Sequence, residues 1–404
     1  MKLAFVDNLP VGGGLSRFSL KLCQSLIDQY DQLEIDYYIH EGNLLQIPEI
    51  STLSNRVVVK VLASTKKKNS VLFFISRVIK RVLKYHFYYK NDIEEIEKLI
   101  DSRYALAYFP CAHMMKMPNL KIPMVGTIHD FNWRYFFGVE IFNNKFTKLM
   151  DSEIQKWFNN AYCISSSHDV VNEAKLMYPQ IKKYPTVIPI TQVVISKKLE
   201  DDRAFEIIKN VEIDFPYIIF PGHFFPHKNH LNLFTAFYLL KQNPLFKDYK
   251  LVLTGVSTNK VEKALATYRG LRKIVNNDET YDVIGMGYQP NEVIDALIMK
   301  ATLLVSPSIY EAICTPAMDA WSFGTPTAIA DIPPFREHET TWGTKTAYFD
   351  PMNPHNIADV LANCLSNLNS IKADAKISQQ KILEYSWDKI ATRYMDVFQK
   401  ATTK

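Results

Sequence analysis

The feature that most constrains this chain is the alternation of short apolar runs with longer amphipathic stretches, a pattern that starts at once and restarts past the middle. Lys2–Val6 is an apolar run of strand length, Gly12, Gly13 and Gly14 make a turn, and Leu15–Ile27 carries apolar residues at helical spacing. This is a βα unit. Further strands are expected at Val57–Leu62, Ala105–Phe109, Met124–Ile128, Tyr162–Ile164 and Thr186–Pro189, most of them separated by helical periodicity. The polar stretch Ser196–Asp214 breaks the rhythm and is expected to link two domains. The rhythm resumes at Tyr217–Phe220 and continues through Leu251–Leu253, Val283–Ile284, Thr302–Val305 and Thr327–Ala330. Strands joined by helices form mostly parallel sheets, and 404 residues exceed one ordinary core, so two α/β domains are expected.

Composition narrows the function classes. The 47 basic and 42 acidic residues leave a formal charge of +5, too mild to argue for nucleic acid as a partner. Five scattered cysteines, with no C-x-x-C pair, argue against a disulfide framework and against structural zinc. The opening MKLAFVDNLPVGGG enters a strand without the regions of a signal peptide, and no apolar run reaches bilayer length. A cytoplasmic location is expected.

In doubly wound sheets ligands sit beyond the carboxyl ends of the strands, so the informative loops are those that follow strands. Four do. Gly12–Gly14 fits an anion-binding turn before a helix, and equally a turn that needs positive φ. Gly222–His230, GHFFPHKNH, puts Lys228 beside a helix start, where an ammonium and helix N–H groups together suit a diphosphate. The histidines His223, His227 and His230 lack a neighbouring carboxylate and the i, i+4 zincin spacing, so no metal site is expected there. In Ser306–Pro326, SPSIYEAICTPAMDAWSFGTP, Thr315 is expected as the N-cap of a helix with Pro316 at the first helical position. Glu311 and Asp319 flank that helix start. Carboxylates beside a phosphate cradle suit a ligand that is part diphosphate and part polyol, although dipole compensation by Asp319 and a solvated Glu311 fit the same spacing. The fourth loop, Gly126–Phe131 (GTIHDF), brings His129 and Asp130 to a strand end, as a ligand contact or as a packed histidine with a capping aspartate.

With these motifs the chain resembles the retaining glycosyltransferases of family 4, whose GT-B architecture has two Rossmann-like domains facing across a cleft. That family's motif, E-G-F-G-L-P-x-x-E-A followed by small-x-G-x-P, is matched by Glu311-Ala-Ile-Cys-Thr-Pro-Ala-Met-Asp319-Ala and then Gly324-Thr-Pro326. The resemblance implies an N-terminal acceptor-side domain over 1–195, a linker over 196–214 and a nucleotide-sugar-binding domain over 215–384. It also implies a closing helix in 385–404 that returns to the first domain, with Trp387 structural. It implies Glu311 on the sugar hydroxyls, Asp319 on the ribose, and Ile313, Cys314 and Thr315 approaching sugar and phosphate through backbone groups. Lys228 would meet the diphosphate with Gly222 and His223 nearby, His129 the transferred sugar, and Gly13 and Gly14 the phosphate or acceptor. Two positions depart from the pattern: the second acid is aspartate, and His223 stands where many members carry arginine.

The activity so implied is transfer of a sugar, with retained anomeric configuration, from a nucleotide diphosphate to a glycan or polyprenyl-linked acceptor in bacterial surface polysaccharide assembly. No cofactor or metal is expected. A sugar-nucleotide epimerase or hydrolase, and an inert nucleotide-sugar-binding subunit, are the competing readings. The segment Lys66–Lys90 interleaves Arg77, Lys80, Arg81 and Lys84 with Leu72, Ile75, Ile79 and Leu83. Such a basic amphipathic helix suits either an anionic membrane surface, which would make the protein peripheral on the inner face of the cytoplasmic membrane, or packing on the first domain.

Overall fold

The computed structural model describes residues 1–7, 14–40, 50–62, 93–135, 144–193, 199–260 and 282–403. Gly12, Gly13 and the basic segment 66–90 lie outside the described residues. The chain forms two compact units, Met1–Ile190 with Trp387–Lys404, and Thr191–Ser386.

The first unit is built on seven parallel strands: β1 (Lys2–Asp7), β2 (Glu34–His40), β3 (Val57–Leu62), β4 (Leu106–Phe109), β5 (Met124–Thr127), β6 (Tyr162–Ser165) and β7 (Thr186–Val187). Their order is β3-β2-β1-β4-β5-β6-β7. Strands such as β4 and β5, LAYF and MVGT, are buried at every position, as a parallel sheet covered on both faces requires. The strand β2 is absent from the sequence expectation because EIDYYIH mixes charge into a core position. The structure neutralises that charge: Asp36 accepts from Tyr104 at 2.5 Å and pairs with Lys60 Nζ at 2.6 Å and Lys2 Nζ at 3.3 Å.

The C-terminal helix Trp387–Thr402 belongs to this unit. It packs on the helix Gly14–Gln29, with Trp387 6.0 Å from Phe18 and Ser25 donating to Asp388 at 3.2 Å, while Phe398 lies 5.2 Å from Tyr108.

The second unit holds six parallel strands: β8 (Tyr217–Pro221), β9 (Lys250–Thr254), β10 (Val283–Gly285), β11 (Leu303–Ser306), β12 (Thr327–Ala330) and β13 (Ala347–Phe349), in the order β10-β9-β8-β11-β12-β13. Counted from its own first strand this is 3-2-1-4-5-6, the order the first sheet follows before adding β7. The stretch 196–214, expected as a linker, contains a helix at Asp201–Asn210. Asp201 and Asp202 suit its first turn, and Ala204, Ile207 and Ile208 are buried in the second core. Its polar outer face concealed three apolar positions at helical spacing. Among the described residues no helix is long and apolar enough to cross a membrane.

Candidate functional site

Each sheet changes direction beside its first strand, between β1 and β4 and between β8 and β11, and loops leaving such a switch point are where ligands bind. In the second unit those loops contain Gly222–Asn229 and Pro307–Cys314. Three contacts join them: Ile309 N–H donates to the His227 carbonyl at 2.9 Å, Asn229 Nδ2 donates to the Pro307 carbonyl at 3.0 Å, and Lys228 Nζ donates to Glu311 Oε1. Asn229 makes this geometry possible by adopting a left-handed conformation, φ 57° and ψ 36°, before the helix His230–Lys241. Sequence reasoning passed over Asn229, although asparagine just ahead of a helix is a signal for that conformation. Gly255, at φ +120°, closes the neighbouring strand end, where an added Cβ would lie 2.7 Å from the Gly222 carbonyl oxygen.

The Lys228–Glu311 pair sits largely out of solvent, each side chain 18% exposed. Burial alone would raise the Glu311 carboxyl, but the adjacent Lys228 ammonium holds it below its ordinary value. The sequence placed Glu311 on sugar hydroxyls and Lys228 on phosphate as separate contacts; the structure joins them. An ammonium has three donors, so the pair fixes Lys228 in position and leaves donors for an anion. His223 is set by Val256 N–H, which donates to its Nδ1 at 3.0 Å. Among the described residues no group of three or more His, Cys, Asp or Glu side chains is placed to hold a metal ion.

The helix of the acidic motif runs Thr315–Phe323, with Pro316 in its first turn and Gly324 as its left-handed C-cap. One expectation needs correction. Thr315 is the first helical residue, and the N-cap is Cys314, which makes no side-chain capping bond. The backbone donor of Cys314 is already used, since its N–H donates to His338 Nε2 at 3.3 Å. The N–H groups of Ala317 and Met318 turn to the Cys314 carbonyl, which leaves Ile313 and Thr315 as donors without a partner among the described residues. Asp319, expected on the ribose, is 1% exposed, and its Oδ1 accepts Val193 N–H at 2.8 Å.

In the first unit His129 follows β5 and is buried. Its Nε2 lies 2.9 Å from the Pro110 carbonyl, and burial presses the imidazole down to about 4. A carbonyl only accepts, so Nε2 carries the proton and Nδ1 the lone pair. Phe18 and His113 pack edge-on against the ring, at 5.2 and 5.4 Å. Asp130 takes the capping role, accepting from Asn132 N at 3.1 Å and from Asn132 Nδ2 at 2.7 Å. Gly14 is the exposed first residue of its helix. Asp7, unremarked in the sequence, ends β1 with its carboxyl pushed up to about 6 by burial, against the lowering effect of the Tyr37 hydroxyl 2.9 Å away. Its position at the end of the first expected strand, a few residues ahead of the glycine run, was the available signal.

Two parallel sheets of Rossmann order, each in its own unit, are the architecture of the GT-B fold. Residues 202–382 match the family model Glycosyl transferases group 1. The chain carries a domain of this retaining family and is a glycosyltransferase that draws on a nucleotide-sugar donor. No curated protein matches its sequence significantly. Among solved structures it is similar to HepE of Anabaena in complex with UDP and glucose, at 14% identity and TM-score 0.67, covering 99% of both chains. It is likewise similar to sucrose-phosphate synthase from Thermosynechococcus elongatus, at 15% identity and TM-score 0.68, over 99% of this chain and 98% of that one. WaaG, a glycosyltransferase involved in lipopolysaccharide biosynthesis, aligns at 13% identity and TM-score 0.69, over 98% of this chain and 99% of that one. At such identities these likenesses establish the fold.

Proposed function

We propose that the enzyme transfers a sugar from a UDP-sugar to a hydroxyl of a glycan or lipid-linked acceptor in the assembly of a bacterial surface polysaccharide. The observation that carries the donor half is the Lys228–Glu311 pair at the second switch point, beside the N–H groups of Ile313 and Thr315. In this reading Lys228 and those donors hold the diphosphate, with Gly222 and His223 lining the approach. Glu311 orients the ammonium and meets sugar hydroxyls with its second oxygen. His129 offers Nδ1 as an acceptor to a hydroxyl of the transferred sugar, and the resemblance assigns Gly13 and Gly14 to the phosphate or the acceptor. The uridine assignment is supported by HepE, whose structure holds UDP and glucose. The acceptor assignment is supported by the likeness to WaaG.

Transfer, as opposed to epimerisation or hydrolysis, requires that the sugar leave the nucleotide for a second molecule with its anomeric configuration kept. Incubation with a panel of nucleotide sugars and short glycan or polyprenyl-linked acceptors, read by NMR of the new anomeric proton, tests this. An α-linked product from an α-linked UDP-sugar is expected. Free sugar or epimer as the sole product would sink the reading.

A further inference from the structure

We infer that Asp151 is a positioning residue for His129: it clamps the short helix that follows the His129 loop and thereby sets the direction in which the imidazole points. The inference rests on reading His129 as a contact of the transferred sugar. Asp151 lies on the helix Asn144–Asn160, and its carboxylate, 20% exposed, gathers donors from two other elements. Its Oδ1 accepts from Trp133 Nε1 at 2.9 Å, from Arg134 Nε at 3.0 Å and from the Tyr178 hydroxyl at 2.8 Å, while its Oδ2 accepts from Arg134 Nη2 at 3.0 Å. Trp133 and Arg134 belong to the short helix Asn132–Tyr135, and Tyr178 is the C-cap of the helix His168–Met177. Four bonds from three side chains use the lone pairs of both oxygens, a capacity that a carboxylate has and an amide lacks.

A line of packed rings leads from this clamp to His129. The fully buried indole of Trp133 stacks on His113 at 6.5 Å with 23° between the planes. His113 in turn meets the His129 ring edge-on at 5.4 Å, and its Nδ1 accepts the His129 N–H at 3.5 Å. The Pro110 carbonyl holds His129 Nε2 at 2.9 Å, yet a single bond leaves the ring free to swing about it. The stack limits that swing and so fixes where Nδ1 points. A misplacement of about 1 Å at a contact of this kind costs up to roughly a hundredfold in rate. Both oxygens of Asp151 are engaged by the clamp, so its influence on the sugar passes through the ring it steadies.

The test is a double-mutant cycle in the full-length protein: wild type, Asp151→Ala, His129→Ala and the double variant, with turnover and UDP affinity measured well below the unfolding transition. Asp151→Ala is expected to lower turnover by about fivefold, and by no more than His129→Ala does, with UDP affinity kept within about twofold. In the His129→Ala background the same change should cost less than about twofold, because a residue acting only through His129 has nothing left to position. In ¹⁵N spectra of histidine-labelled protein the His129 signals should shift in Asp151→Ala and return toward wild type in Asp151→Asn, whose amide oxygen keeps the three bonds made at Oδ1. Equal losses of turnover in both backgrounds would overturn the inference, as would unchanged His129 signals in Asp151→Ala. Should Asp151→Ala fail to fold, Trp133→Phe, which removes the indole donor and keeps a ring against His113, carries the same cycle. Full turnover in His129→Ala would remove the sugar reading of His129 instead, and the ¹⁵N arm would still decide whether Asp151 holds the ring.

Discussion

His129 Nε2 and the Pro110 carbonyl oxygen, 2.9 Å apart, fix which nitrogen of a buried imidazole carries the proton. The ring should therefore remain the Nε2–H tautomer at neutral pH and titrate only near 4, because burial disfavours the cation. Two-dimensional ¹⁵N spectra of histidine-labelled protein check this; a protonated Nδ1 at pH 7 would refute it. His129→Ala is expected to lower turnover by about tenfold, the scale of one hydrogen bond, while leaving UDP affinity intact.

Lys228→Ala removes the cation from the proposed phosphate site and leaves Glu311 buried without its partner. UDP affinity should fall by roughly 1.5 to 3 kcal/mol, the worth of a charge-assisted hydrogen bond. Glu311→Gln keeps the ammonium and should cost affinity less than turnover. Calorimetric affinities for the two variants and their double mutant measure the coupling; equal losses of UDP binding in both single variants would show that the division of roles is wrong.

Gly126 is required for packing, since an added Cβ would lie 2.5 Å from Ala112 Cβ and 3.2 Å from Trp157. Gly126→Ala should destabilise the first unit by about 1 to 3 kcal/mol, the usual cost of overpacking. Thermal unfolding should show its transition lowered by several degrees, with His129, three residues on, displaced and turnover reduced. An unshifted transition would mean that the strand can yield.

Acid should loosen the second unit before its carboxylates matter. His227 is held near 4, and His230 and His338 near 3, in each case chiefly by burial. A histidine depressed in the folded state binds its proton only on unfolding, so its stabilisation is complete above about pH 6.5 and drains away as pH falls toward the folded value. Urea midpoints measured from pH 7.5 to 5 should decline, approaching a linked uptake of three protons near pH 5. A flat profile would contradict the buried, neutral assignment.

Transfer is expected to proceed without a divalent ion, because Lys228 and backbone donors supply the positive potential at the diphosphate. Activity should survive EDTA within twofold. Loss on chelation with recovery on adding magnesium or manganese would show that a metal shares this work.

How much of this was legible depended on whether local pattern or tertiary pairing decided the outcome. The strands flanking the switch points are apolar over most of their length and announced themselves, and Lys228 and Glu311 stood out because each follows such a strand. The strand β2 did not, since Asp36 becomes tolerable only once Lys2 and Lys60 meet it from neighbouring strands. The strand β13, AYF, buries only Phe349 fully and so offers no run of core positions to read. The Asp201–Asn210 helix was hidden by its charged exterior. The partners of Asp319 and Cys314, Val193 and His338, are distant in sequence, and no spacing rule connects them.

The discontinuity of the first unit has a consequence for how the protein is made. Tyr394 and Phe398 complete its core beside Tyr108, yet they are translated after every residue of Thr191–Ser386. Domains fold as they leave the ribosome, N-terminal ones usually first. Here that order is inverted: the half synthesised later can finish first, while the earlier half waits with its last helix missing. A stop codon just ahead of Trp387 would thus damage the part of the enzyme that was translated earlier.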